Sequence, residues 1–171
     1  MLPVEEALEI VLAHAPRLAA EAVELKDAPG RVLAEDVRAD ADMPPFDRSA
    51  MDGYAVRAAD VAGAPLVLPV AGQIRAGQYP DRPLPPHAAV QVMTGAPVPA
   101  GATAVVPVEH TRAVDGGARV EILGPAVTGA HIARRGCEVS AGDVVLEAGR
   151  SIDPAAVAVL VVVLGAGLYR A

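Results

Sequence analysis

The sequence predicts an α+β protein in which a compact β-rich unit interrupts a chain whose two ends have a different texture. Three observations carry that prediction. Near the N-terminus, Leu8, Val11, Leu12 and Ala15 recur at helical spacing. Between residues 44 and 139 the chain breaks into short apolar runs punctuated by Gly and Pro. Beyond Pro154, the apolar run Ala155 to Leu164 contains neither.

Pro3 to about Ala15 reads as the first helix. Pro3 suits the opening turn, Glu5 and Glu6 favour the positive end of the dipole, and Pro16 stops it. The i, i+3, i+4, i+7 pattern then puts Leu8, Val11, Leu12 and Ala15 on one buried face. After the turn Asp27-Ala28-Pro29-Gly30, residues 31–37 are expected to form a short helix leading into a strand. Four strands are expected in the middle: Leu66 to Val70, Ala89 to Met93, Ala104 to Val108 and Arg119 to Leu123. Asp115-Gly116-Gly117 marks a hairpin, because its residues tolerate positive φ. Pro69 and Pro107 place their strands at edges or bulges. No helix of any length fits between 44 and 138, so a barrel-like β unit is expected there. Val144 to Leu146 reads as a strand and Ala148-Gly149 as its turn. Ser151 or Asp153 can cap a helix with Pro154 in its first turn and Gly165 closing it. That helix is apolar on every side, which calls for burial or a subunit contact.

Composition bounds the function. The 171 residues suffice for one ordinary domain or two small ones. Hydrophobic residues make up 53%, yet the chain has one Phe, three Tyr and no Trp. Its core must therefore be assembled from many small contacts. With 16 Gly and 16 Pro, just under a fifth of the chain, tight turns are expected rather than disorder. The net charge of −7 excludes a generally basic face and hence nonspecific nucleic-acid binding, while leaving room for a local Arg cluster. A lone Cys137 fits a reducing, cytoplasmic setting. No signal-peptide pattern opens the chain, and its apolar C-terminal run is too short to span a bilayer. The four histidines lack metal-ligand spacing.

One stretch needs more than a loop's ordinary polarity: Pro44-Pro45-Phe46-Asp47-Arg48-Ser49-Ala50-Met51-Asp52-Gly53-Tyr54-Ala55-Val56. It resembles the signature of the molybdopterin molybdenumtransferase family, which includes the E domain of gephyrin. Three further segments agree in order: Val92 to Pro99, Ala104-Val105-Val106, and Ile132 to Gly142 with its Arg134-Arg135-Gly136-Cys137-Glu138 core. The resemblance implies an elongated dimerisation domain, here residues 1–43 plus 140–171, carrying an inserted β-rich domain at 44–139. It also implies that a pterin-binding third domain and a small C-terminal β domain lie outside these residues.

The activity so implied is insertion of molybdate into adenylylated molybdopterin with release of AMP, assisted by Mg²⁺. By resemblance Asp52, Thr94 and Glu138 are the catalytic candidates, with Asp52 and Glu138 as the Mg²⁺ ligands. Mg²⁺ takes one or two carboxylates and completes its octahedron with water and phosphate oxygens. Ser49, Arg134, Arg135 and Gly136 are the substrate-binding candidates, since guanidinium forks hold oxyanions and glycine lets backbone approach them. Blander readings stand beside these: an Asp-Gly turn at Asp52, a turn cap at Asp47, a strand-end hydroxyl at Thr94, a solvent-facing Ser49 and an exposed basic pair at 134–135. Where the family commonly reads Gly-Glu-Asp, this chain has Gly136-Cys137-Glu138, which keeps a final carboxylate with one more methylene. Cys137 is expected to be a bystander. The implied partners are a second copy of the chain, in a homodimer, and a separately supplied pterin-binding domain. The alternative is a noncatalytic dimerisation or scaffold module, or a truncated remnant of that family.

Overall fold

The computed structural model describes residues 2–16 and 18–166. Among them, the short apolar runs become ten strands, β1 (Val37–Arg38), β2 (Arg48–Ser49), β3 (Gly53–Val56), β4 (Leu66–Ile74), β5 (Ala89–Val92), β6 (Ala104–Pro107), β7 (Thr111–Val114), β8 (Arg119–Ile122), β9 (Ile132–Ala133) and β10 (Val144–Leu146). Two α-helices, α1 (Val4–Ala13) and α2 (Pro154–Ala166), lie at the ends. No described helix is long and apolar enough to cross a membrane.

Six strands form one curled sheet in the order β6-β3-β5-β4-β8-β7. Neighbours are antiparallel except β4 and β5. The expected barrel is therefore a half-barrel whose edge strands are β6 and β7. The prolines behave as strand physics requires. Pro107 ends the edge strand β6, and Pro69 stands just before the register shift between Val70 and Gln73. Asp115–Gly117 turns the β7–β8 hairpin as a short 3₁₀ segment, with Gly116 at φ +66°.

Small side chains fill the interior. One face buries Val56, Val61, Val106, Val120 and Ile122 with Tyr54; the other buries Val90, Val92, Val105, Ile74 and Leu84. Each fully buried aliphatic of this kind contributes about 1.5–3 kcal/mol, so the core is the sum of many such terms. A third cluster joins the two ends of the chain: Ala28 packs with Leu146, Ile152, Ala156 and Leu160. β1 pairs with β10.

Three local expectations are corrected. Residues 31–37 form no helix. Seven residues offer too few internal bonds to offset helix nucleation, and their backbone pairs across the chain instead. Leu33 N donates to Arg150 O (2.9 Å), Gly149 N to Leu33 O (2.8 Å) and Ile152 N to Arg31 O (2.8 Å). Helix α1 forms as expected, yet it buries nothing: Leu8, Val11 and Leu12 are 56%, 62% and 64% exposed. Among the described residues, no side chain of its apolar stripe is buried. In α2, Asp153 is the cap, its Oδ1 accepting from Ala156 N (2.7 Å), and Gly165 continues the helix rather than closing it. One side of α2 supplies the buried Ala156 and Leu160, while Val161 and Val162 are about half exposed.

Candidate functional site

The candidate residues lie on two neighbouring features. The first is a pair of turns at one end of the sheet. The β2–β3 turn carries Asp52, and the loop after β5 carries Thr94. Strand pairing of β3 with β5 brings them together, Gly53 standing opposite Val92. Asp52 Oδ1 accepts from both Thr94 N and Thr94 Oγ1, each at 2.7 Å. The amide foremost and the hydroxyl next hold the Asp52 carboxyl below its ordinary value of 3.8, against a small opposing desolvation. Both residues are exposed. Asp52 is thus an ionised, oriented carboxylate whose Oδ2 has no protein partner among the described residues.

The glycine that follows is required by packing. A Cβ on Gly53 would overlap the Val106 carbonyl of β6 and stand 3.0 Å from Pro107 Cα. The Asp-Gly pair therefore does two things: Gly53 lets β3 and β6 approach, and Asp52 is left at the turn's outer edge. Asp52 O also accepts from Val108 N (3.0 Å), which ties the turn to the end of β6.

The second feature is the double crossing where the chain runs into and out of the sheet. Met43 bridges Val139, and Arg48 and Ser49 of β2 pair with Ala133 and Ile132 of β9. Gly136 N donates to Pro44 O (2.9 Å) with φ at +71°, a conformation glycine takes without strain. Three ion pairs run along this ladder. Arg135 Nε donates to Asp42 Oδ2 (2.6 Å), Arg134 Nη1 to Asp47 Oδ2 (2.5 Å) and Arg48 Nη2 to Glu138 Oε1 (2.5 Å). Backbone amides reinforce two of them: Ala141 N donates to Asp42 and Arg135 N to Asp47, each at 2.9 Å. These amides are the largest influence lowering each carboxyl, ahead of the guanidinium contacts.

Set beside the sequence expectations, Asp52 and Thr94 meet directly. Arg134, Arg135, Gly136 and Glu138 gather at the crossing instead. Asp52 and Glu138 share no hydrogen-bond partner, and the described residues contain no group of three or more His, Cys, Asp or Glu suited to a metal ion. Ser49 departs from the solvent-facing reading. It is 1% exposed, and its Oγ donates to Met51 O at 2.6 Å, so the hydroxyl shapes the Asp52 turn from inside. Asp42 and Arg48 were not singled out from the sequence. Their partners lie 93 and 90 residues away, and no local pattern announces such a pairing. Cys137 is exposed.

Comparison with known proteins places this geometry in context. Residues 2–163 match the family described as MoeA N-terminal region (domain I and II). The chain is 51% identical over 138 residues to molybdopterin molybdenumtransferase 2 of Mycobacterium tuberculosis (strain H37Rv), covering 78% of this chain and 33% of that protein. It is 37% identical over 163 residues to molybdopterin molybdenumtransferase of Staphylococcus aureus (strain MSSA476), covering 93% and 38% respectively. Among solved structures, the molybdopterin biosynthesis moeA protein from Pyrococcus horikoshii OT3 superposes with a TM-score of 0.87 at 37% identity, over 95% of this chain and 44% of that one. The chain therefore spans between a third and a half of the length of these relatives.

Proposed function

The chain belongs to the MoeA N-terminal family, and from that premise we propose that it forms part of a molybdopterin molybdotransferase of molybdenum cofactor biosynthesis. In this reading molybdate enters the dithiolene of adenylylated molybdopterin and AMP leaves. The observation that carries the proposal is the Asp52 carboxylate oriented by both donors of Thr94, at the exposed edge of the sheet. A carboxylate so held stays ionised at neutral pH and keeps one oxygen for a ligand or water.

Mg²⁺ fits this donor set in a limited way. One or two carboxylates suffice when water and phosphate oxygens complete the octahedron, and an all-protein cage is not needed. Asp52 would hold the ion through its unpartnered oxygen, and Mg²⁺ would supply charge neutralisation at phosphate oxygens. Glu138 is the second proposed ligand, through the oxygen that Arg48 leaves unengaged. Arg134 and Arg135 are 54% and 67% exposed, so guanidinium donors beyond those engaged with Asp47 and Asp42 are open to phosphate or molybdate oxygens. Gly136 shapes the loop that presents them. Ser49 is assigned support of the Asp52 turn, not contact with substrate.

We further propose residues 44–139 as an inserted domain and residues 1–43 plus 140–171 as the part that dimerises. The shared core of Ala28, Leu146 and Ile152 and the exposed apolar stripe of α1 support that division. In the cytoplasm the partners would be a second copy and a pterin-binding domain. The test is reconstitution with molybdate, Mg²⁺ and adenylylated molybdopterin. Cofactor and AMP should form when a pterin-binding domain is added, negligibly with the isolated chain, and not with Asp52→Asn. Full synthesis by the isolated chain refutes the division of labour. Undiminished synthesis by the variant refutes the role of Asp52, and leaves the scaffold reading.

A further inference from the structure

Aspartate followed by glycine occurs twice in the chain, at Asp52-Gly53 and at Asp115-Gly116. Such a pair can rearrange without any enzyme. The glycine amide nitrogen attacks the aspartyl Cγ, since glycine has no side chain to shield that nitrogen. An N–Cγ bond forms and a carboxyl C–O bond breaks, the oxygen leaving as water with the amide proton and one proton from solvent. Water then reopens the five-membered imide. Cleavage on the main-chain side leaves an isoaspartyl residue, whose backbone runs through Cβ and Cγ. No oxidant or further reactant is consumed. The reaction needs a carboxyl group free to swing, a glycine amide free to move, and space for the ring.

At Asp52 the fold withholds all three. Its Oδ1 is held by Thr94 N and Thr94 Oγ1, each at 2.7 Å. Gly53 is buried in β3, opposite Val92 of β5 and Pro107 of β6. An atom added on Gly53 would overlap the Val106 carbonyl, so the ring has no room.

At Asp115 the fold supplies all three. The β7–β8 ladder stops at the Val114–Arg119 pair, which leaves the Asp115-Gly116 bond outside it. Residues 115–119 are all exposed. A Cβ on Gly116 or Gly117 would meet nothing within 4 Å. Asp115 stands at φ +52°, a left-handed conformation that carries a steric cost for any residue with a Cβ. Routing the backbone through Cβ adds a rotatable bond and relieves that cost. Among the described residues its carboxylate meets Arg119, and both side chains of that pair are about half exposed. An exposed pair of this kind restrains the carboxyl only weakly.

We propose that Asp115 is a modification site: in the folded chain it converts spontaneously to isoaspartate, while the fold protects the same dipeptide at Asp52. Isomerisation lengthens the hairpin turn by one backbone carbon and moves the carboxylate onto Cα, which separates it from Arg119. The proposal goes beyond the cofactor reading and does not rest on it.

The test is prolonged incubation of the 171-residue chain at neutral pH, folded and in urea, followed by tryptic digestion. Cleavage after arginine puts Asp115 in the peptide Ala113 to Arg119 and Asp52 in the peptide Ser49 to Arg57. Electron-transfer fragmentation distinguishes isoaspartate from aspartate in each. In the folded chain isoaspartate should accumulate in the first peptide and be absent from the second. In urea it should accumulate in both. Asp115→Glu, whose ring would have six members and close less readily, should lose the signal from the first peptide while circular dichroism reports an intact sheet. No isoaspartate at 115 in the folded chain, or equal accumulation at 52, overturns the proposal. A preference for 115 that persists unchanged in urea overturns the protective role given to the fold.

Discussion

Asp52 shows how much a single contact decides. Its carboxylate would be an ordinary turn residue if the Thr94 amide and hydroxyl did not both converge on one oxygen. Thr94→Ala keeps the amide bond and removes the hydroxyl. The Asp52 carboxyl should then titrate closer to its ordinary 3.8, remaining ionised at neutral pH, which a ¹³C-carboxyl titration reads directly. Gly53 makes the complementary case. Gly53→Ala drives a methyl into the Val106 carbonyl, backbone that cannot turn aside. A cost of about 1–3 kcal/mol in urea unfolding is expected, the range for overpacking a close-packed site. The motif itself was legible as something beyond a loop, and so were Asp52 and Thr94. That Ser49 would be interior was not, since a serine between Arg48 and Ala50 carries no local sign of burial.

At the scale of elements, the crossing of the two connecting segments is the feature local sequence reading could not assemble. Arg134 and Arg135 read as anion binders, while the structure engages each with an aspartate nearly ninety residues away or more. The aspartates titrate lower in the folded chain than in the unfolded one. Their stabilising effect is therefore complete above the ordinary carboxylate value and is lost as pH falls through the lowered folded value. Asp47→Asn should accordingly reduce thermal stability by a constant amount from pH 7 down to about 5. The gap to the parent chain should close at lower pH. A gap that widens on acidification would contradict the direction assigned to Asp47. The same competition between local and distant bonding explains the missing helix at 31–37, whose amides and carbonyls are taken by residues 149–152.

For the molecule as a whole, the exposed stripe of α1 is the largest departure from what periodicity promised. Leu8, Val11 and Leu12 have the spacing of a buried face and are each more than half exposed among the described residues. Sedimentation should show self-association of the chain, and Leu8→Glu with Leu12→Glu should shift it toward monomer without loss of the β-sheet signal. An unchanged monomeric species in both would remove the support that α1 lends to dimerisation. Strands β4, β5, β6, β8 and β10, the 115–117 hairpin and the capped terminal helix were determined by the sequence alone. Each depends on spacing, turn chemistry or capping within a few residues. Tertiary structure decided which charges pair across the crossing, that Ser49 is interior, that the sheet stays a half-barrel and that α1 is uncovered. Those outcomes depend on groups brought together from distant parts of the chain, and pairing energies between them leave no periodic trace in the order of residues.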